Sequence, residues 1–171
     1  MMILVTGKNN SGKSMFAERI AASLGPCRYY IATMRPFGIE GLARVEKHQM
    51  QRAELDFTTL ELPVLVGETE LPRDAVVLLE DVSNLLANSM FERKSTASKV
   101  FADINRLADR VSHLVIVTIS RFNEGNYDQE TQSYMQELAW LNRKLEEQAE
   151  VVAKLHNGRA VFKKGELHGN I

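Results

Sequence analysis

Apolar residues along the chain follow two rhythms. Nearly unbroken apolar runs occur at 2–6 (MILVT), 28–32 (RYYIA), 75–80 (AVVLLE) and 113–118 (HLVIVT). Runs this short, bounded by polar residues, are the pattern of β-strands covered on both faces. A more polar stretch, 57–62 (FTTLEL), is a further strand candidate. Between these runs the period changes. Phe16, Ala17, Ile20 and Leu24 recur at helical spacing across 13–24, and Gly25-Pro26 stops that helix. Helices are also expected over 39–53, 82–91, 98–110 and, longest and most amphipathic, 131–148. Strands at 151–155 and 159–163 close the pattern around a His156-Asn157-Gly158 turn. Strands alternating with helices predict an α/β fold: a P-loop NTPase-like, mostly parallel sheet with helices on both faces, ending in a short β-hairpin.

Composition narrows the class. The 171 residues, 44% of them hydrophobic, suffice for one sizeable core, and no repeat or linker divides them, so a single domain over 1–171 is expected. The net charge of -1 argues against the basic surface that nucleic-acid binding requires. The single cysteine, Cys27, rules out an intrachain disulfide and any multi-cysteine zinc site. Its expected role is a small hydrophobe beside a strand. Residues 2–6 run directly into a glycine-rich stretch, and no apolar run approaches membrane-spanning length. A soluble cytoplasmic chain without a membrane span is the expectation.

The glycine-rich stretch carries the chemistry. Gly7-Lys8-Asn9-Asn10-Ser11-Gly12-Lys13-Ser14 satisfies G-x-x-x-x-G-K-[ST] directly between an expected strand and an expected helix. In that setting the glycines let successive N–H groups face inward as an anion-binding nest at the positive end of the helix. Lys13 then reaches the β- and γ-phosphates of a nucleoside triphosphate, and Ser14 ligates Mg²⁺. A second anchor for the metal is expected at the end of a neighbouring strand, where AVVLLED supplies Glu80 and Asp81. The same two acids would also suit a helix N-terminus.

A second candidate lies in GLARVEKHQMQR. Four-residue spacing puts Arg44, His48 and Arg52 on one helix face. A neutral imidazole between arginines can attack an α-phosphate while the guanidiniums stabilise the developing oxyanions. His113, His156 and His168 have no such setting, and no pair of histidines has zinc-ligand spacing.

The ordered set MILVTG, SGKS, YYIAT, ARVEKHQMQR, TTLE, VLLEDVSNLL and LNRKLEEQAEVV resembles the adenosylcobinamide kinase/adenosylcobinamide-phosphate guanylyltransferase family of cobalamin biosynthesis, over nearly the whole chain. The resemblance implies a bifunctional transferase. Such an enzyme phosphorylates adenosylcobinamide with ATP or GTP, then transfers GMP from GTP to the new phosphate through a guanylylated histidine. Residues 44–52 match the family's R-[IV]-x-x-H-x-x-x-R pattern, which carries the nucleophile's role to His48. Glu80 falls where the family places an acid before its S/T-N-L-L helix, here Ser83-Asn84-Leu85-Leu86. Glu61 matches the acid of the W-x-T-x-E segment, with Phe57 in place of the tryptophan. The resemblance also implies small-molecule corrinoid and nucleotide substrates and a homo-oligomer, commonly a trimer.

One segment departs from the pattern. After HLVIVT the family usually continues N-E-V-G-x-G-[IV]-V-P and then an arginine-rich helix; here the chain reads ISRFNEGNYD and then QSYMQEL. Lys8 likewise replaces a glycine. A kinase-only P-loop enzyme and a non-catalytic or repurposed nucleotide-binding relative are the alternatives.

Overall fold

The computed structural model describes residues 1–35, 41–43, 46, 50, 55–120, 122 and 125–167. Seven strands form one sheet: β1 (Met2–Gly7), β2 (Arg28–Ala32), β3 (Thr58–Glu61), β4 (Val76–Glu80), β5 (His113–Ile119), β6 (Val151–His156) and β7 (Arg159–Lys164), in the order β3-β2-β4-β5-β1-β6-β7. All neighbours pair in parallel except β6 and β7, which form the antiparallel hairpin expected around Asn157-Gly158. The hairpin is part of the main sheet rather than an appendage, because β6 pairs with β1 from Ile3↔Val151 to Gly7↔Leu155.

The near-continuous apolar runs are explained by cover on both faces. Met2 and Leu4 of β1, Val77 and Leu79 of β4, and Leu114 and Ile116 of β5 join a core with helices α2 (Val82–Arg93), α3 (Ala97–Ala108) and α4 (Gln129–Gln148). The alternate residues Ile3, Val5, Leu78, Val115 and Val117 pack against Phe16, Ala17, Ile20 and Ala21 of α1 (Lys13–Leu24) on the opposite face. In α4 the buried stripe is Leu138, Leu141 and Leu145, so this helix spends its apolar face on the chain's own sheet. Trp140 lies partly buried against the same core, edge-on to Phe101. Cys27 packs partly buried beside β2, as a small apolar residue would.

The helices beginning with α2, α3 and α4 carry side-chain caps: Asp81, Thr96 and Asp128 accept from Asn84, Lys99 and Thr131 respectively. Helix α1 does not. Its N-cap is Gly12, with no side-chain cap, which leaves its first-turn N–H groups for another acceptor. The expected helix over 39–53 falls mostly outside the described residues; positions 41–43, 46 and 50 are helical. No described helix is long and apolar enough to cross a membrane.

Candidate functional site

The carboxyl ends of the parallel strands share one edge of the sheet. The chain leaves β1 toward the α1 face and the adjacent β5 toward the opposite face, the divergence that opens a crevice in such sheets. At this edge β1 runs into the loop 7–14. Gly7 is required there by close approach: a Cβ on it would sit 2.5 Å from Ser11 Oγ and 2.9 Å from the carbonyl oxygen of Leu155. Asn10 and Gly12 take left-handed backbone angles, with φ of 57° and 88°, that reverse the chain into α1. The loop is fixed from outside as well, since Ser120 N–H donates to the Gly7 carbonyl (3.0 Å).

Within the loop, Lys13 is 92% buried and its Nζ donates to the Lys8 carbonyl oxygen at 3.2 Å, so the ammonium lies across the loop's mouth. Ser11 is buried too, and its hydroxyl has no hydrogen-bond partner among the described residues. Lys8, Asn9 and Asn10 are exposed, as expected of positions whose contribution is main-chain N–H.

Glu80 and Asp81, equivalent in sequence terms, separate in space. Glu80 accepts from Ser14 Oγ through Oε1 and from Tyr30 Oη (3.1 Å) through Oε2. It therefore faces the phosphate loop. Asp81 Oδ1 accepts from Asn84 N–H (2.8 Å) and Ser83 Oγ (2.6 Å), and thus caps α2. The Ser14 hydroxyl beside the Glu80 carboxylate is a pair of hard oxygen donors of the kind Mg²⁺ takes while its other positions go to water and phosphate. Among the described residues no three His, Cys, Asp or Glu side chains converge into a closed metal cage.

Glu61 ends β3 in the same cross-sheet row as Glu80, both opposite Ala32 of the intervening β2. Two strand spacings, about 9.6 Å, separate their backbones. Glu61 is exposed. Arg44, His48 and Arg52 lie outside the described residues. Leading toward the histidine segment, Arg35 forms a two-point ion pair with Glu92 of α2 (2.5 and 2.7 Å).

Sequence reading missed several supports. The fully buried Thr33 hydroxyl donates to the Asp81 carbonyl (2.8 Å) and accepts from the Asp81 N–H (2.7 Å), tying the end of β2 to the β4–α2 junction. Asn88 Nδ2 donates to the Thr33 carbonyl (2.8 Å). Tyr30 reads in sequence as an ordinary strand aromatic; only parallel pairing with β4 brings its hydroxyl to Glu80.

A cavity of about 530 Å³ lies elsewhere, at the far end of α2, lined by residues including Met90, Phe91, Lys94, Gln129 and Glu130. None belongs to the expected set. Tyr134 stands beside it, its ring 6.2 Å from Phe91 and 5.7 Å from Phe122, its hydroxyl donating to the Ser83 carbonyl at 2.8 Å. Burial, aided by the nearby charge of Asp81, raises the pKa of this phenol well above the ordinary tyrosine value.

Solved structures share the fold. The flagellar accessory protein FlaH from Methanocaldococcus jannaschii aligns with 96% of this chain and 78% of its own at a TM-score of 0.57 and 13% identity. A prototypical ATPase from the type III secretion system of pathogenic bacteria aligns with 91% of this chain and 51% of its own, at 0.55 and 10%. Sequence similarity points more narrowly. The bifunctional adenosylcobalamin biosynthesis protein CobU of Escherichia coli K12 is 38% identical over 96 residues, and that of Salmonella typhimurium LT2 is 37% identical over 95. These matches cover 54% and 53% of this chain, and 51% of each relative, so the matched stretch spans about half the length of these curated relatives. Residues 3–162 match the family described as cobinamide kinase / cobinamide phosphate guanyltransferase (CobU), from the first core strand into the closing hairpin. The chain belongs to that family.

Proposed function

We propose that this protein is a transferase of cobalamin biosynthesis that phosphorylates cobinamide at a hydroxyl with a nucleoside triphosphate and then caps the new phosphate with GMP. The observation that carries the proposal is the uncapped α1 N-terminus behind Gly7–Ser14, with Ser14 held against Glu80, in a chain of this family. The main-chain N–H groups of the loop and Lys13 would bind the triphosphate, and Ser14 and Glu80 would hold Mg²⁺. There the ion would supply positive charge against the negative charge of the transferring phosphoryl group. The loop positions the γ-phosphorus for in-line attack by the acceptor hydroxyl, whose proton is released to solvent as the bond to the nucleoside diphosphate breaks, and Lys13 stabilises the charge shifting to that leaving group.

The guanylyl step falls to His48, with Arg44 and Arg52 as partners to the α-phosphate oxygens and Glu61 near the strand edge. The neutral imidazole attacks the α-phosphorus of GTP; a phosphorus–nitrogen bond forms and pyrophosphate leaves. A phosphate oxygen of the phosphorylated acceptor then attacks the same phosphorus, and the phosphorus–nitrogen bond breaks. The test uses GTP labelled at the α-phosphate. Wild-type protein should retain label after denaturation in base and lose it in acid. His48→Ala and His48→Asn should retain none, yet still phosphorylate cobinamide. Label retained fully by His48→Ala would remove the histidine from the reaction.

A further inference from the structure

The β6–β7 turn reaches back to the phosphate loop. Asn157 and Gly158 have φ of 49° and 76°, both left-handed, and His156 pairs with Arg159 across them. Two consecutive positive φ values make the two-residue hairpin turn that suits twisted strands. The N–H of the second turn residue is not used by such a ladder, so that donor must find a partner elsewhere. It finds Ser11: Gly158 N–H donates to the Ser11 carbonyl at 3.0 Å, and a Cβ on Gly12 would lie 3.5 Å from Gly158 Cα. The turn is held at that height by buried Leu155, which pairs with Gly7 on one side and Ala160 on the other.

From this contact we infer that Gly158 is a positioning residue of the nucleotide site, an inference that rests on the phosphate-loop role proposed above. The Ser11 carbonyl and the Gly12 N–H belong to one planar trans peptide and point in opposite directions. Fixing the carbonyl toward the hairpin fixes the N–H away from it, toward the concave side of the loop. Without the tie this peptide can turn over at little cost, because glycine accepts either sense of φ. The flipped peptide would present a carbonyl oxygen to the anion in place of a donor. The hairpin thus keeps a phosphate nest in its binding-ready form before any nucleotide arrives.

The inference is tested with two probes, Mg²⁺–ATP and inorganic tripolyphosphate, by calorimetric titration. Gly158→Val puts a β-branched side chain at a φ that such residues avoid, and a single glycine inserted between Asn157 and Gly158 lengthens the turn. Each should weaken both probes by about tenfold, the scale of one hydrogen bond. Gly158→Asn keeps the donor and tolerates the left-handed angle, so it should bind both probes within about twofold of wild type. Wild-type affinity for tripolyphosphate in the first two variants overturns the inference. So does a loss confined to ATP, which would place the turn against the base instead. Lys13→Ala separates the two levels: if it binds ATP like wild type, the phosphate-loop role itself is wrong, whatever the turn does. Should the turn variants fail to fold, amide hydrogen exchange in the wild-type protein decides. The Gly158 amide must exchange at least about tenfold more slowly than an unprotected amide, and exchange at the free rate overturns the proposal.

Discussion

Helix α2 has two ends built on different principles. Beside its first turn lies the phosphate end, made from contiguous residues 7–14 and from single residues delivered by neighbouring strands, Glu80 and Tyr30 among them. From its last turn the aromatic end reaches back along the helix: Phe91, Phe122 and Tyr134 come from a helix, a loop and another helix, and the Tyr134 hydroxyl meets the Ser83 carbonyl in the first turn. The first is made of main-chain groups, short hydroxyls and one buried ammonium. Such a site depends on backbone shape, so Lys8 can replace a glycine with its side chain exposed. The second depends on bulky side chains packing on one another, and it draws Phe122 and Tyr134 from the stretch where the chain departs from the family pattern after β5. Backbone-built recognition suits phosphate, which is the same in every nucleotide. Side-chain walls are where related chains are free to differ.

The comparison breaks most sharply at Lys13. Lys13→Ala should weaken Mg²⁺–ATP binding by a hundredfold or more, because a buried charge-assisted contact to the phosphates disappears. The near-ultraviolet circular dichroism of the aromatic end should be unchanged. Retained ATP affinity would end the phosphate-loop assignment. A smaller effect separates the two acids at the head of α2. Glu80→Gln should raise the Mg²⁺ concentration needed for half-maximal turnover by about tenfold, whereas Asp81→Asn, which still caps a helix, should leave it unchanged. Asp81→Ala should instead lower Tm by about 2–4 °C, the cost of a lost cap of about 1 kcal/mol in a domain of this size. Equal metal dependence in Glu80→Gln and wild type would move the anchor elsewhere.

Much of this was legible in the sequence. The runs MILVT, AVVLLE and HLVIVT announced strands covered on both faces, because burial on two sides leaves no polar alternation to confuse with anything else. The α1 boundaries follow from the phosphate loop before it and Gly25-Pro26 after it. Helix α4 starts at Gln129 rather than 131 because Asp128 is its cap, a signal present but read two residues late. Choosing between Glu80 and Asp81 was beyond sequence, since adjacent residues at a strand end diverge only when one begins a helix. Tyr30, Thr33 and Gly158 matter through partners 48 to 147 positions away, which local patterns do not encode. The aromatic cluster was invisible for the same reason.

The mildest prediction probes the aromatic end alone, through Tyr134. In the folded protein its pKa is raised above 10, chiefly by burial and secondarily by the charge of Asp81. Below about pH 10 the phenol is protonated in both folded and unfolded chains, so its hydrogen bond to the Ser83 carbonyl contributes in full. Above that pH the unfolded chain ionises first and is favoured. Stability contributed by this residue therefore falls as pH rises, by up to about 1.4 kcal/mol per unit. Tyr134→Phe removes both the bond and the titration. At pH 8 wild type should melt a few degrees above the variant, the scale of one hydrogen bond of about 1 kcal/mol. The gap should close near pH 11 while tripolyphosphate affinity at pH 8 stays the same in both proteins, since the partners of the ring and hydroxyl, Phe91, Phe122 and Ser83, are not residues of the phosphate loop. A gap that stays constant between pH 8 and pH 11 would mean that the phenol ionises freely in the folded chain. A loss of phosphate binding in Tyr134→Phe would mean that the two ends of α2 are coupled rather than independent.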